Sequence, residues 1–285
     1  MTLEPLIAAE DLRARLQAGE PIRIFDCSFD LTNPAAGEQQ YLQAHLPGAR
    51  FADLERDLSA HPPEPAMSGG RHPLPTREAF ARWLGRHGVS NGQPVVVYDR
   101  QGANFCGRLW WMLQWLGHEP VALLDGGLAA WQSAGGALVS GPADPVPVQT
   151  FTPTAPRLRL VTTAEVLTGL NGNQTLIDAR APARYRGEME PLDPVAGHIP
   201  GALNRPFASN LTADGRFKAP QVLRAEFEEL LAGRDPATVV HHCGSGVSAV
   251  PNLLAMMLAG LPPGGLYAGS WSEWCRDPAR PVARG

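Results

Sequence analysis

The chain says the same thing twice. The strand-like Ile24-Phe25-Asp26 returns about 150 residues later as Leu176-Ile177-Asp178, and Ala44-His45-Leu46-Pro47-Gly48-Ala49 returns as Gly197-His198-Ile199-Pro200-Gly201-Ala202. Val95-Val96-Val97-Tyr98 ahead of Asp99 is answered by Val239-Val240-His241-His242 ahead of Cys243. Leu124-Asp125-Gly126-Gly127 with Trp131 is answered by Ala268-Gly269-Ser270 with Trp274. Four blocks in one order, at a spacing far too long for a solenoid repeat, describe a duplicated domain. A chain of 285 residues can supply each copy with its own core.

Within each half, short apolar strands alternate with amphipathic stretches at 9–18, 76–87, 164–170 and 221–231. That alternation predicts an α/β fold in which each domain is a mostly parallel sheet covered by helices on both faces. Between the halves, residues 140–156 are rich in proline and carry neither helical nor alternating pattern. The expected division is a first domain over 1–145, a linker over 146–156 and a second domain over 157–285. Trp110, Trp111 and Trp115 fall at helical spacing and read as core, and His45 and His198 read as local supports of their turns.

Charge removes several partner classes. Lys+Arg 24 against Asp+Glu 28 leaves a net charge of -4, so no general field draws in nucleic acid or an anionic bilayer. Neither partner is expected, and any anion must be held locally. No apolar run approaches the ~18 to 20 residues that span a bilayer, and the N-terminal stretch is acidic and amphipathic, so a cytoplasmic setting is expected. Cys27, Cys106, Cys243 and Cys275 are scattered without a CxxC pair and read as free thiols. His241 and His242, adjacent on a strand, point to opposite faces and have no second cluster of ligands, so no metal site is expected.

One segment has the form of a reaction centre. In the stretch 238–249 a buried-looking strand runs into a Gly-rich turn and then into an apolar helix, whose start Pro251 fixes near Ser248 to Pro251 and whose end Gly260 marks. Cys243 thus stands at the carboxyl end of a strand and the amino end of a helix, where unpaired amides and the helix dipole favour an anion. Gly244 and Gly246 let the turn curl its amides inward as a nest. A cysteine there is favoured as the thiolate nucleophile, whereas Cys106 and Cys275 read as packing thiols. Phosphate-ester hydrolysis is one reading of His242-Cys243, but Ala249 stands where a phosphatase needs its clamping arginine. A non-catalytic sulfur-binding module is another alternative. The loop suits a smaller task best, which is accepting a sulfur atom as a persulfide.

These motifs resemble the tandem-rhodanese sulfurtransferases: two rhodanese-like domains, a HIPGA-type block in each, a cysteine loop in the second only, and the closing Gly269 to Trp274 stretch. The loop from Cys243 to Ala249 is similar to the CGSGVTA loop of 3-mercaptopyruvate sulfurtransferases, with Ser248 in place of threonine. Thiosulfate sulfurtransferases carry Arg-Lys where this chain has Gly244-Ser245. The resemblance implies a ping-pong reaction without metal or organic cofactor. Cys243 takes sulfur from 3-mercaptopyruvate, or alternatively from thiosulfate, and passes it to cyanide, a small thiol or thioredoxin. The protein is then expected to act as a monomer.

The same resemblance assigns roles. The loop residues Gly244, Gly246, Val247 and Ser248 line the substrate, and Arg184 of the Arg184-Tyr185-Arg186-Gly187 stretch holds its carboxylate, with Arg186 able to share that task. A second arginine usual in these enzymes is absent, since the chain reads Glu190-Pro191-Leu192. Ser245 and His72, with Glu55 or Asp57 as the acid, match a serine-histidine-acid relay that protonates the leaving enolate. Asp99 stands at the cysteine position of the first domain, which reads as catalytically silent.

Overall fold

The computed structural model describes residues 3–285. Met1 and Thr2, which open the acidic N-terminal stretch, lie outside the described residues. Two compact units form. The first holds residues up to Ala60, Pro75–Arg157 and Ala213–Arg216, and the second holds His61–Leu74, Leu158–Thr212 and Phe217–Gly285.

Each unit is built on a five-stranded sheet in which every pairing is parallel. In the first, β1 (Leu6–Ile7), β2 (Arg23–Asp26), β3 (Ala49–Phe51), β4 (Val95–Tyr98) and β5 (Val121–Leu124) lie in the order β1-β5-β4-β2-β3. In the second, β6 (Arg159–Leu160), β7 (Thr175–Asp178), β8 (Leu203–Asn204), β9 (Val239–His242) and β10 (Gly265–Leu266) repeat it as β6-β10-β9-β7-β8. Register repeats as well: Asp26 faces Tyr98 as Asp178 faces His242. Asp99 and Cys243 are therefore the same position in the two copies.

The crossovers carry the helices α1 (Ala9–Gln17), α2 (Ala35–Gln43), α3 (Arg77–Arg86), α4 (Cys106–Trp115) and α5 (Gly127–Ser133), then α6 (Thr163–Gly169), α7 (Pro182–Tyr185), α8 (Pro220–Leu231), α9 (Val250–Leu258) and α10 (Ser270–Trp274). Local chemistry starts several of them. The Thr76 hydroxyl accepts the Ala79 N–H at the head of α3, Thr162 and Glu165 form a capping box on α6, and Pro220 opens α8.

Both faces of each sheet are covered. Alternate residues Ile24, Val96, Tyr98, Ala122 and Leu124 join Leu12 of α1 and Trp131 of α5 in one cluster. Their neighbours Phe25, Val97 and Leu123 are buried on the opposite face, where the Phe25 ring lies 5.4 Å from Trp83 of α3. In the second unit Leu176 and Val240 pack with Val166 of α6 and with Trp271 and Trp274 of α10. Each such large side chain removed from water contributes about 1.5–3 kcal/mol, so the sheets anchor the loops that follow them. Trp110, Trp111 and Trp115 are buried in α4, which is enclosed on all sides.

The two units interleave in sequence. The proline-rich stretch 146–156 forms no helix or strand, yet it is fastened to the first unit. The Gln149 N–H donates to the Gly85 carbonyl (2.9 Å), the Thr152 N–H to Asn91 Oδ1 (2.8 Å) and the Thr154 N–H to the Leu116 carbonyl (2.9 Å). The segment His61–Leu74, from the first half of the sequence, belongs to the second unit because its backbone is stitched to α10. The Gly69 N–H donates to Glu273 Oε2 (3.0 Å) and the Arg71 N–H to Ser272 Oγ (3.0 Å). No helix among the described residues is long and apolar enough to cross a membrane.

Candidate active site

From β7 the chain steps outward to β8, then returns to build β9 and β10 on the other side. The carboxyl ends of β7 and β9 thus flank a topological switch point, the place where open α/β sheets bind ligands. Asp178 and Cys243 mark those two ends.

The turn after β9 is held from one side. The Cys243 N–H donates to Ser270 Oγ (3.1 Å), the Cys243 carbonyl accepts the Trp271 N–H (3.0 Å) and the Gly244 carbonyl accepts the Ser272 N–H (2.8 Å). Gly246 adopts φ +74, and a Cβ there would lie 2.2 Å from the Ala268 carbonyl oxygen, so only glycine fits. Ser270 also sits in the left-handed region, at φ 53. Pro251 lies in the first turn of α9, and Gly260 follows its end at φ +68, as expected from sequence. Cys243 itself is 2% exposed.

The first unit shows what this loop shape gathers. The Asp99 carboxylate accepts N–H groups from Gln101 (2.9 Å), Ala103 (3.0 Å), Phe105 (2.8 Å) and Cys106 (2.9 Å). Burial pushes its carboxyl above the ordinary range even though all four amides oppose the shift. Ser245 and Val247 occupy the places of Gln101 and Ala103. Among the described residues, their amides have no protein acceptor. The second loop is thus the equivalent turn with a cysteine in place of the carboxylate, and there the Val250 N–H donates to the Val247 carbonyl (3.1 Å).

The stitched segment 61–74 brings a histidine to this loop. His72 Nδ1 lies 2.8 Å from Ser245 Oγ, and both side chains are buried. Gly70, at φ +91, permits the approach, since a Cβ there would lie 2.6 Å from Ser272 Oγ. Glu55 and Asp57 belong to the first unit. Asp57 accepts the Asp53 N–H (2.9 Å) and pairs with Arg56 (3.3 Å), and Glu55 is exposed.

A set of guanidiniums surrounds the other side. Arg180 is a structural residue. It chelates Asp178 through Nε (3.1 and 3.0 Å) and Nη2 (2.6 Å), donates to the Gly197 carbonyl (2.8 Å) and lies over the Trp271 ring at 4.8 Å. Arg184 bonds Glu190 at 2.6 and 3.2 Å and reaches Asp193 at 3.3 Å. A Cβ on Gly244 would lie 3.4 Å from Arg184 Nη1 and 3.1 Å from Arg71 Nη2, so two guanidiniums flank the residue after Cys243. Sequence reading missed Arg71; its only signal was its place beside His72. Arg186, expected to assist Arg184, instead forms a two-bond pair with Glu188 (2.6 and 3.0 Å) at an exposed site. The two sit two residues apart after a four-residue helix, which aims them at solvent. Leu192 is exposed.

Burial disfavours the charged form of both histidines beside Cys243. Burial pushes His241 down to about 3, and burial likewise lowers His242, against the pull of Asp178. Among the described residues, no group of His, Cys, Asp or Glu could hold a metal ion.

Chemically, the site offers a buried thiol at the head of the turn after β9, a hydroxyl-imidazole pair at hydrogen-bond distance and two guanidiniums beside Gly244. Known proteins share this arrangement of chain. A profile of the rhodanese-like domain matches residues 8–134 and 162–277. A Pseudomonas aeruginosa protein named "probable 3-mercaptopyruvate sulfurtransferase" is 48% identical over 289 residues, covering 100% of both chains. Thiosulfate sulfurtransferase of Bos taurus is 36% identical over 272 residues, 93% of this chain and 89% of that one. The solved structure of SseA from Escherichia coli, described among 3-mercaptopyruvate sulfotransferases, matches with a TM-score of 0.77 at 34% identity, covering 95% of this chain and 100% of that one. With both halves matched and full-length relatives at this identity, the chain belongs to the rhodanese-like domain family.

Proposed function

We propose that this chain is a sulfurtransferase that takes sulfur from 3-mercaptopyruvate onto Cys243 and delivers it to cyanide, a small thiol or thioredoxin. The observation that carries the reading is the 2.8 Å pair of His72 and Ser245 beside a turn that places Cys243 where the first unit has Asp99. The Cys243 thiolate attacks the donor's sulfur, and the carbon–sulfur bond breaks. Its electron pair passes to pyruvate as the enolate. Ser245 protonates that enolate and is resupplied by His72, leaving a Cys243 persulfide. The loop amides stabilise the outer sulfur's charge. An acceptor thiolate or cyanide then removes that sulfur and regenerates the thiolate.

Charge balance supports the mercaptopyruvate donor. Arg71, Arg180 and Arg184 are matched by Asp178, Glu190 and Asp193, a neutral cluster that suits a monoanion better than a dianion. Thiosulfate is the second reading, favoured by the two guanidiniums beside Gly244 and by the bovine relative's activity. Asp99 cannot carry sulfane sulfur, so the first domain is silent in this scheme. Ala249, buried ahead of α9, offers no phosphate clamp. Four free cysteines fit a reducing, cytoplasmic setting, and the enzyme acts as a monomer in this proposal.

Intact mass after incubation with each donor tests the reading. The unchanged chain gains one sulfur, Cys243→Ser gains none, and turnover is faster with mercaptopyruvate. Absence of uptake from both donors, or uptake by the serine variant, overturns it.

A further inference from the structure

We infer that Arg71 is a second donor-binding residue, which with Arg184 forms a two-guanidinium seat beside Gly244 for the carboxylate of a small α-keto acid. The identity of that acid rests on the sulfurtransferase reading; the seat itself rests on geometry. Arg71 Nη2 and Arg184 Nη1 are the atoms nearest a Cβ built on Gly244, at 3.1 and 3.4 Å, and among the described residues neither atom bonds a protein acceptor. Their other ends are fixed. Asp193 Oδ1 takes Arg71 Nη1 at 2.8 Å, while Asp193 Oδ2 takes Arg184 Nη2 at 3.3 Å. One buried carboxylate thus sets the spacing of both forks and leaves a donor of each turned toward the cysteine loop.

The pair is pre-organised further from behind. The Arg71 backbone is tied to Ser272 Oγ at 3.0 Å, and Arg184 is braced by Glu190 at 2.6 Å. Fixing the forks before binding reduces the ordering cost that a long side chain otherwise imposes on affinity. Both side chains keep partial access, with 23% and 17% of their surface exposed, so a solute can reach them. A Cβ at position 244 would press on the ends of both guanidiniums, so a larger side chain there would displace them. Arg71 thereby supplies, from the segment 61–74, the second fork that Leu192 cannot.

Pyruvate, the product that has no sulfur to transfer, is the probe, and its dissociation constant is read by ligand-observed NMR on the full chain. Losing one charge-assisted fork weakens binding about ten- to a hundredfold, so Arg71→Ala and Arg184→Ala each raise the constant by that factor. Arg71→Lys, which keeps the pairing charge at Asp193 but not the planar fork, falls between. With mercaptopyruvate, Arg71→Ala raises KM by the same factor and leaves kcat within about threefold. An unchanged pyruvate constant in Arg71→Ala overturns the seat, as does absence of pyruvate binding by the unchanged chain. If pyruvate binds in an Arg71-dependent way while Cys243 takes sulfur from neither donor, the seat stands and the sulfurtransferase reading falls. If sulfur uptake is normal but Arg71 is irrelevant to pyruvate, the reverse holds.

Discussion

Ser270 holds one hydroxyl between two backbone groups, and removing it has a cost that can be worked out from the loop. Its Oγ accepts the Cys243 N–H at 3.1 Å and donates to the Tyr267 carbonyl at 2.9 Å, in a side chain with no solvent exposure. Alanine strands that amide and carbonyl, which costs about 1–3 kcal/mol for a buried group left without a partner. Alanine also keeps the strain of a left-handed backbone at φ 53, of order 1 kcal/mol for a residue with a Cβ. Glycine loses the same hydrogen bonds but relieves that strain, and the equivalent residue of the first unit is indeed Gly127 at φ 57. Ser270→Ala is therefore expected to destabilise by about 2 kcal/mol and Ser270→Gly by about 1, an order opposite to ordinary helix propensity. At roughly 2–4 °C per kcal/mol, thermal melting followed by circular dichroism separates the two variants. Both also slow sulfur uptake, because the Cys243 amide is no longer held. Equal or greater stability of the alanine variant would refute the role assigned to the left-handed serine.

Ser245→Ala and His72→Asn should lower kcat with mercaptopyruvate by about a hundredfold, the usual worth of a positioned proton donor. Thiosulfate turnover should stay within a few-fold, since sulfite leaves without a proton; equal losses with both donors in steady-state assays would remove the relay. Asp178 gives a pH signature. Burial opposes its charge, yet His242 and Arg180 hold its carboxyl below the ordinary range. A depressed carboxyl stabilises the fold above the ordinary pKa of about 3.9 and loses that contribution as pH falls through the folded value. Asp178→Asn, which breaks a buried pair with Arg180, is expected to cost about 3–5 kcal/mol at neutral pH. The gap to the unchanged chain should shrink below about pH 4 in denaturant melts.

Much of this molecule was readable in one dimension because its informative signals are local. Val95 to Tyr98 and Val239 to His242 are all-apolar or fully buried strands, and a strand buried on both faces announces a parallel sheet. Cys243, Gly246 and Pro251 lie within one turn and helix start, so the loop could be placed by stereochemistry. What escaped depends on distance in sequence. Nothing near His61 to Leu74 signals that this segment packs on α10, which is why the contact of His72 with Ser245 needed the family resemblance and Arg71 passed unnoticed. Arg184 and Arg186 look interchangeable in sequence. Only the acids at 188, 190 and 193 decide which points to the loop. The strain at Ser270 was available in principle, since the duplication aligns it with a glycine.

That duplication also separates constancy from responsiveness. In the first copy a tethered side chain, Asp99, permanently occupies the amide ring, so the shape of that half is set once at folding and is indifferent to what the surrounding fluid contains. In the second copy the equivalent turn carries no such tether, and in the proposed reaction it is the turn that receives the transferred sulfur. One duplicated scaffold thus supplies both a self-satisfied turn and one left to a reactant.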